Sequence, residues 1–311
     1  MISLAFIIGT SMMYATPLIF TALGGTISEK SGIINIGLEG MMVMGAFMGA
    51  AIGYYSGNPW VGFLAAGAAG GFMALLHGIA CITFKADQVV SGIAMNFLGP
   101  GFALFFSRIM FDGATQTLAL DLDHKIPRPL NGLFQQAEGI FSKNSFVEII
   151  FNQYATVFLA FILVFVIHFV FYRTRLGLRI RSVGEHPEAA DTLGINVYKV
   201  RYISVIASGV MAGFGGAAMS IAIVSRFSPT VIAGQGFIAL AAMIFGNWKP
   251  RGAMFACLFF GFSTALGIFI GQKTDMIPSA VLAMLPYIMT LIILVTFAKK
   301  SYAPAASGKK F

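Results

Sequence analysis

Seven apolar stretches, at 2–24, 33–55, 59–84, 154–172, 203–225, 252–271 and 277–298, have about the length of a bilayer-crossing helix. Such a helix needs about 20 residues to pass a hydrocarbon core of roughly 30 Å. No water is available in that core to pair backbone N–H and C=O groups, so only helices and closed barrels cross it. Runs of this length select helices. Two weaker stretches complete the set: 89–106, which carries Asn96 and Pro100, and 236–248. The second is too short to cross as an ideal helix. It is expected to be a half-helix or re-entrant piece, tolerated only where protein or a cavity surrounds it. The expected fold is therefore all-α and polytopic, with about 8–10 transmembrane helices, some broken or short, in a single domain over 1–311.

Composition excludes a soluble domain. Only 10% of the residues are charged and 58% are hydrophobic, against roughly 25% charged in a soluble domain. The net charge of +8 does not point to nucleic acid, because the basic residues sit between apolar runs and not on one face. They set topology instead. The segment 173–201 holds six Lys and Arg, the tail 299–311 holds four, and Lys30, Lys85, Lys249 and Arg251 join them, making 14 of the 20. The positive-inside rule places these, and with them the C-terminus, in the cytoplasm. The polar loop 107–153 is then external, and nine crossings put the N-terminus outside. The apolar start lacks a basic leader and a cleavage site, so it is expected to be a retained first span.

Cys81 and Cys257 lie in apolar stretches and form no disulfide or metal pattern. No pairing of His, Asp, Glu or Cys at membrane depth has a nucleophile or metal spacing, which argues against an enzyme. Glycines recur at helix-packing intervals (Gly45, Gly49 and Gly53; Gly209 and Gly213), as expected of a tightly packed bundle.

Glu39 stands out within "SGIINIGLEGMMVMGAFM" (31–48). A charged side chain at bilayer depth costs about 2.5–3.5 kcal/mol on insertion scales. Asn35, four residues earlier, would share a helical face with it. The glycines at 32, 37 and 40 make a break plausible, and Glu39 would then brace the interrupted helix. Contact with a transported solute and proton coupling are the alternatives, and His77 and His168, each alone near the end of an apolar run, supply no relay. If bracing is the role, Gln should replace Glu39 with little loss and Leu should not. Asn96, beside Gly99 and Pro100, marks a second irregular helix and either lines a path or bonds a neighbouring helix.

The cytoplasmic segment "GEHPEAADTLGINVYKVR" (184–201) encodes a short helix. Pro187 suits its first turn, Glu188 complements the dipole, and Gly194 is placed to terminate it. A helix of about seven residues is unstable alone in water. Local features leave two readings, an ordinary polar loop or a docking helix whose small face, Ala189 and Ala190, enters a partner's groove.

"SGIINIGLEGMMVMGAF" (31–47), "RTRLGLRIRSVGEHPEAADTLGINVYKVR" (173–201) and "GQGFIALAAMIFGNWKPRGA" (234–253) together resemble the permease subunits of bacterial ABC importers for nucleosides, simple sugars and branched-chain amino acids. The nearest branch is the shorter nucleoside-type permease. The resemblance implies a coupling segment made of Gly184, Glu185, His186, Pro187, Glu188, Ala189, Ala190, Asp191, Leu193 and Gly194. It also implies a cytoplasmic ATPase subunit that binds ATP and Mg, a second and non-identical permease chain, an extracytoplasmic solute-binding protein, and a place in the bacterial cytoplasmic membrane. No cofactor is expected on this chain. Consistent with that division of labour, no phosphate-binding G-x-x-x-x-G-K-[ST] loop occurs in it. Asn35, Glu39 and Asn96 become gate candidates, and Phe97, Phe102, Phe105 and Phe106 either flank a route for a flat base or face lipid.

Overall fold

The computed structural model describes residues 2–121, 124–136, 145–273, 278–297 and 303–311. Residues 122–123 and 137–144 of the expected external loop, and 299–302 of the expected tail, lie outside the described residues. Four helices open the chain: α1 (Ile2–Glu29), α2 (Leu38–Ser56), α3 (Pro59–Gly78, prolonged by a π-helical turn at Ile79–Thr83) and α4 (Gln88–Met110). Two short helices, α5 (Asn131–Gln136) and α6 (Phe146–Phe151), occupy the long loop that follows. Next come α7 (Ala155–Arg173), α8 (Arg175–Glu185) and α9 (Pro187–Thr192). The last part holds α10 (Val197–Ala217, prolonged by a π-helical turn at Ala218–Ile223), α11 (Gln235–Phe245), α12 (Pro250–Lys273), α13 (Ser279–Ala283) and α14 (Leu285–Phe297). Six of these, α1, α3, α4, α7, α10 and α12, are long and apolar enough to cross a membrane. The chain is an all-α polytopic membrane protein.

The bundle has two ends. At one, here called the basic end, Gly184 packs against the backbone of Lys30 and Gly32, and the Ala306 N–H donates to the Gly184 carbonyl. Thr83 at the end of α3 meets Tyr202 of α10 through their hydroxyls. At the other, the loop end, the N–H groups of Thr117 and Leu120 donate to the carbonyls of Phe227 and Ser225. The start of α1 abuts the long loop there, Gly9 lying against Ile149.

Residues 2–110 and 197–297 repeat one plan in opposite directions. Each has a long helix (α1, α10), an irregular stretch (30–37, 224–234), a second helix (α2, α11), a Gly-Asn turn (57–58, 246–247) and a long helix begun by proline (α3 at Pro59, α12 at Pro250). Packing follows the same exchange: α10 lies on α3 as α1 lies on α12, α10 on α2 as α1 on α11, and α2 on α4 as α11 on α14. This is the inverted repeat of many transporters. The repeats meet through close backbone approach. A Cβ on Gly45 of α2 would lie 2.5 Å from the Gly213 Cα of α10, and one on Gly70 of α3 would lie 2.2 Å from the Gly209 carbonyl oxygen.

Two of the sequence expectations change. The second span starts at Leu38, so Asn35 is non-helical and shares no helix face with Glu39. The stretch around Asn96 is one continuous helix, with Pro100 inside it. Gly99 serves packing and not a break: a Cβ there would sit 2.2 Å from the Gly40 carbonyl oxygen. The short stretch is a half-helix as expected, α11 having 11 residues, about 16 Å of rise.

Candidate functional site

Residues 30–37, between α1 and α2, are irregular and largely buried. Backbone in that condition needs partners for its polar groups, and side chains of neighbouring elements supply them. The Ile34 N–H donates to Gln88 Oε1 at 2.7 Å, and the Ile34 carbonyl lies 3.1 Å from His77 Nε2. A carbonyl only accepts, so His77 carries its proton on Nε2, and its Nδ1, 2.9 Å from the Ser91 hydroxyl, accepts in turn. Asn96 closes the break: its Nδ2 donates to the Ile36 carbonyl at 3.0 Å, and its Oδ1 accepts from the Gly40 N–H at 2.9 Å. Of the alternatives for Asn96, the geometry gives bonding to a neighbouring segment. Asn35 is fully buried and donates to the Ser208 hydroxyl at 3.0 Å, while its Oδ1 has no partner among the described residues.

Glu39 braces a different helix from the one expected. Its Oε1 accepts from the Gly234 N–H and its Oε2 from the Gly236 N–H, each at 2.6 Å. These groups open α11, whose first N–H groups have no partner within their own helix. The carboxylate therefore sits at the positive end of the α11 dipole. Gly236 makes the approach possible, since a Cβ there would lie 2.6 Å from the Glu39 Cα. Gly234 adopts φ +88°, a conformation that favours glycine. Both oxygens are used as acceptors. This geometry argues against the expectation that Gln would serve with little loss, because its NH2 group would face a backbone N–H while its oxygen kept one of the two bonds.

Glu29, which the sequence reading passed over, grips the other end of α11. It is the last residue of α1, is 7% exposed, and accepts from the indole N–H of Trp248 in the turn that follows α11. The only signal available was an acidic residue ending one apolar run and a Trp ending another. Two carboxylates that flank the irregular stretch thus hold both ends of the half-helix in the opposite repeat.

At the basic end, α9 runs from Pro187 to Thr192. It closes with a Schellman arrangement: the Gly194 N–H donates to the Asp191 carbonyl and the Ile195 N–H to the Ala190 carbonyl, with Gly194 at φ +79°. Its residues divide by face. Ala190 is 2% exposed and packs in the protein's own core with Val183 and Val197, so it does not belong to an outward small face. Gly184 is buried as well, and a Cβ there would lie 2.1 Å from the Lys30 carbonyl oxygen. Pro187 is half-buried. Glu185, His186, Glu188, Ala189, Asp191, Leu193 and Gly194 are exposed, Leu193 to 81%. The tail lies beside this element: the Ala306 N–H donates to the Gly184 carbonyl, the Gly308 N–H to the Gly32 carbonyl, and the Ala305 N–H to Glu185 Oε2. It joins the α8–α9 corner to the irregular stretch that precedes Glu39.

Phe97 and Phe105 are 78% and 58% exposed, and with Phe102 they border a shallow apolar trough along α4. Phe97 and Phe105 face away from the packed interior, whereas Phe102 is partly buried against the core.

The model of a permease component of the branched-chain amino acid transport system matches residues 7–294. The guanosine ABC transporter permease protein NupQ of Bacillus subtilis is 45% identical over 98% of this chain and 96% of its own length. The nucleoside ABC transporter permease protein NupC of Lactococcus lactis is 39% identical over 99% and 97%. A putative glucose ABC transporter permease protein, TsgC13 of Haloferax volcanii, is 36% identical over 84% and 76%. No solved structure matches. The family model covers nearly the whole chain and these relatives agree with it: the chain belongs to the permease-component family of the branched-chain amino acid transport system.

Proposed function

We propose that the chain is the membrane permease subunit of an ATP-driven importer of nucleosides. The observation that carries this is the 45% identity, across nearly the whole of both chains, to a permease named for guanosine transport. Energy would come from a cytoplasmic ATPase subunit holding ATP and Mg, docked on the exposed side of α9. Leu193 is the large apolar side chain exposed there, and Glu188, Ala189 and Asp191 are exposed on the same short element. The basic end and its tail would lie in the cytoplasm of a bacterium, in accord with the charge bias of the sequence. A solute-binding protein would deliver nucleoside at the loop end. A second, non-identical permease chain would complete the path, and the exposed apolar side of α4 is a surface available to it.

The test is reconstitution of the chain with its co-expressed companions in proteoliposomes. Nucleoside should stimulate ATP hydrolysis and enter the vesicles, and uptake should persist when a protonophore collapses the proton gradient. Stimulation by a sugar in place of nucleosides would overturn the substrate. Uptake that ends with the proton gradient while ATP remains would overturn the energy source.

A further inference from the structure

Toward the loop end of the second repeat lies a cavity of about 680 Å³, within the roughly 300–1,000 Å³ of small-molecule sites. Its floor is the start of α11, the turn gripped by Glu39. Its walls are residues 230–233, the π-helical turn of α10, the second half of α12, and α13 with α14. Most of the lining is apolar. Four polar side chains enter it, Thr230, Gln235, Thr264 and Tyr287, the composition of a site that binds a flat, weakly polar solute.

The polar groups keep bonding capacity to spare. Gln235 Nε2 has only the weakly accepting Met219 sulfur, at 3.8 Å, and its Oε1 has no protein partner among the described residues. The Thr264 hydroxyl donates to the Phe260 carbonyl at 3.1 Å and retains its acceptor lone pairs. The Tyr287 hydroxyl donates to the Ala233 carbonyl at 2.9 Å, which holds a half-exposed ring against the irregular wall. That wall carries unmet backbone as well: among the described residues, neither the Ile232 N–H nor the Ala233 N–H has a hydrogen-bonding partner. Irregular backbone at membrane depth is tolerated where protein buries it or where it lines a cavity, and residues 230–233 line this one.

We propose that this cavity holds the nucleobase of the solute during passage, with the Gln235 carboxamide reading the base edge. This rests on the nucleoside reading above. A carboxamide places one donor beside one acceptor. It therefore meets the adjacent N–H and C=O of a lactam base such as uracil, hypoxanthine or guanine with two hydrogen bonds. Thr230 and Thr264 offer hydroxyls to the sugar, and the Tyr287 ring offers a face to the heterocycle.

Two measurements on the reconstituted importer test the proposal. In the first, uptake of uridine, inosine and guanosine is compared in Gln235→Leu and Gln235→Glu. Leu should raise KM for all three by about tenfold or more, the loss of two hydrogen bonds. Glu only accepts, so it should penalise uridine and inosine and spare guanosine, whose ring N–H and amino group are neighbouring donors. In the second, Thr230→Cys is introduced with the buried Cys81 and Cys257 replaced by Ala, and its maleimide labelling should slow when uridine is added. Labelling needs no uptake, so it decides the matter even where a Gln235 variant fails to fold. Unchanged KM values in both variants, or labelling indifferent to uridine, would overturn the cavity assignment. An unaltered complex that imports no nucleoside would instead overturn the proposed function itself.

Discussion

A carboxylate that accepts two backbone N–H groups at 2.6 Å uses both oxygens, and no neutral side chain of the same length can do so. Glu39→Gln should leave one opening N–H of α11 facing an NH2 group, at a cost of about 1–3 kcal/mol for the unsatisfied donor. Glu39→Leu should lose both bonds and cost more. Thermal unfolding of the detergent-purified chain should rank native above Gln above Leu, and equal Tm values for native and Gln would refute the two-acceptor geometry. Asn96 gives a complementary test, since it donates to Ile36 and accepts from Gly40. Asn96→Asp keeps the acceptor and should be intermediate between native and Asn96→Leu in the same measurement. The sequence marked both residues, because a polar side chain in an apolar run must have a partner. It could not name the partners. Glu39 and Gly234 are 195 positions apart, and helical periodicity reports only neighbours within a few turns.

The short helix at the basic end was legible as an element because its start and stop signals are local: Pro187 opens it and Gly194 closes it. Which face it shows was not legible, since that depends on where the core lies. With Ala190 turned into the core and Ala189 outward, two substitutions that look alike should behave differently. Ala190→Arg should destabilise the permease itself by forcing a long charged side chain into close packing. Ala189→Arg should leave its Tm within about 0.5 kcal/mol-equivalent of native, as exposed substitutions do, and yet lose the ATPase on copurification. Copurification of normal ATPase with Ala189→Arg would refute docking on this face. The tail is a second element whose contacts appear only in three dimensions. It falls beyond the matched residues 7–294, yet its backbone bonds reach Gly184 and Gly32. Deleting 303–311 should preserve membrane insertion and weaken the link between ATP hydrolysis and uptake. The ratio of ATP consumed to solute imported should therefore rise, and an unchanged ratio would count against a transmitting role.

At the scale of the molecule, the apolar runs were enough to foresee an all-α bundle with one half-helix, because the bilayer permits few alternatives. The inverted repeat was not legible, since its halves share order and packing more than residues. What joins them is proximity of backbone, and that gives the bundle a sharp test at two glycines. Gly213 of α10 lies where three helices converge: an added Cβ would sit 2.1 Å from the Ala66 carbonyl oxygen of α3, and Gly213 itself abuts Gly45 of α2. A single methyl must push the helices apart there, and in lipid this close packing is a main source of helix association. Gly101 of α4 is also helical, but an added Cβ would meet nothing within 4 Å. Its replacement should be neutral or stabilising by up to about 1 kcal/mol, from reduced freedom of the unfolded chain. Gly213→Ala should therefore lower Tm clearly while Gly101→Ala holds or raises it, although both exchange the same residues within a membrane helix. Equal shifts would mean that the repeats do not meet through the Gly45–Gly213 contact.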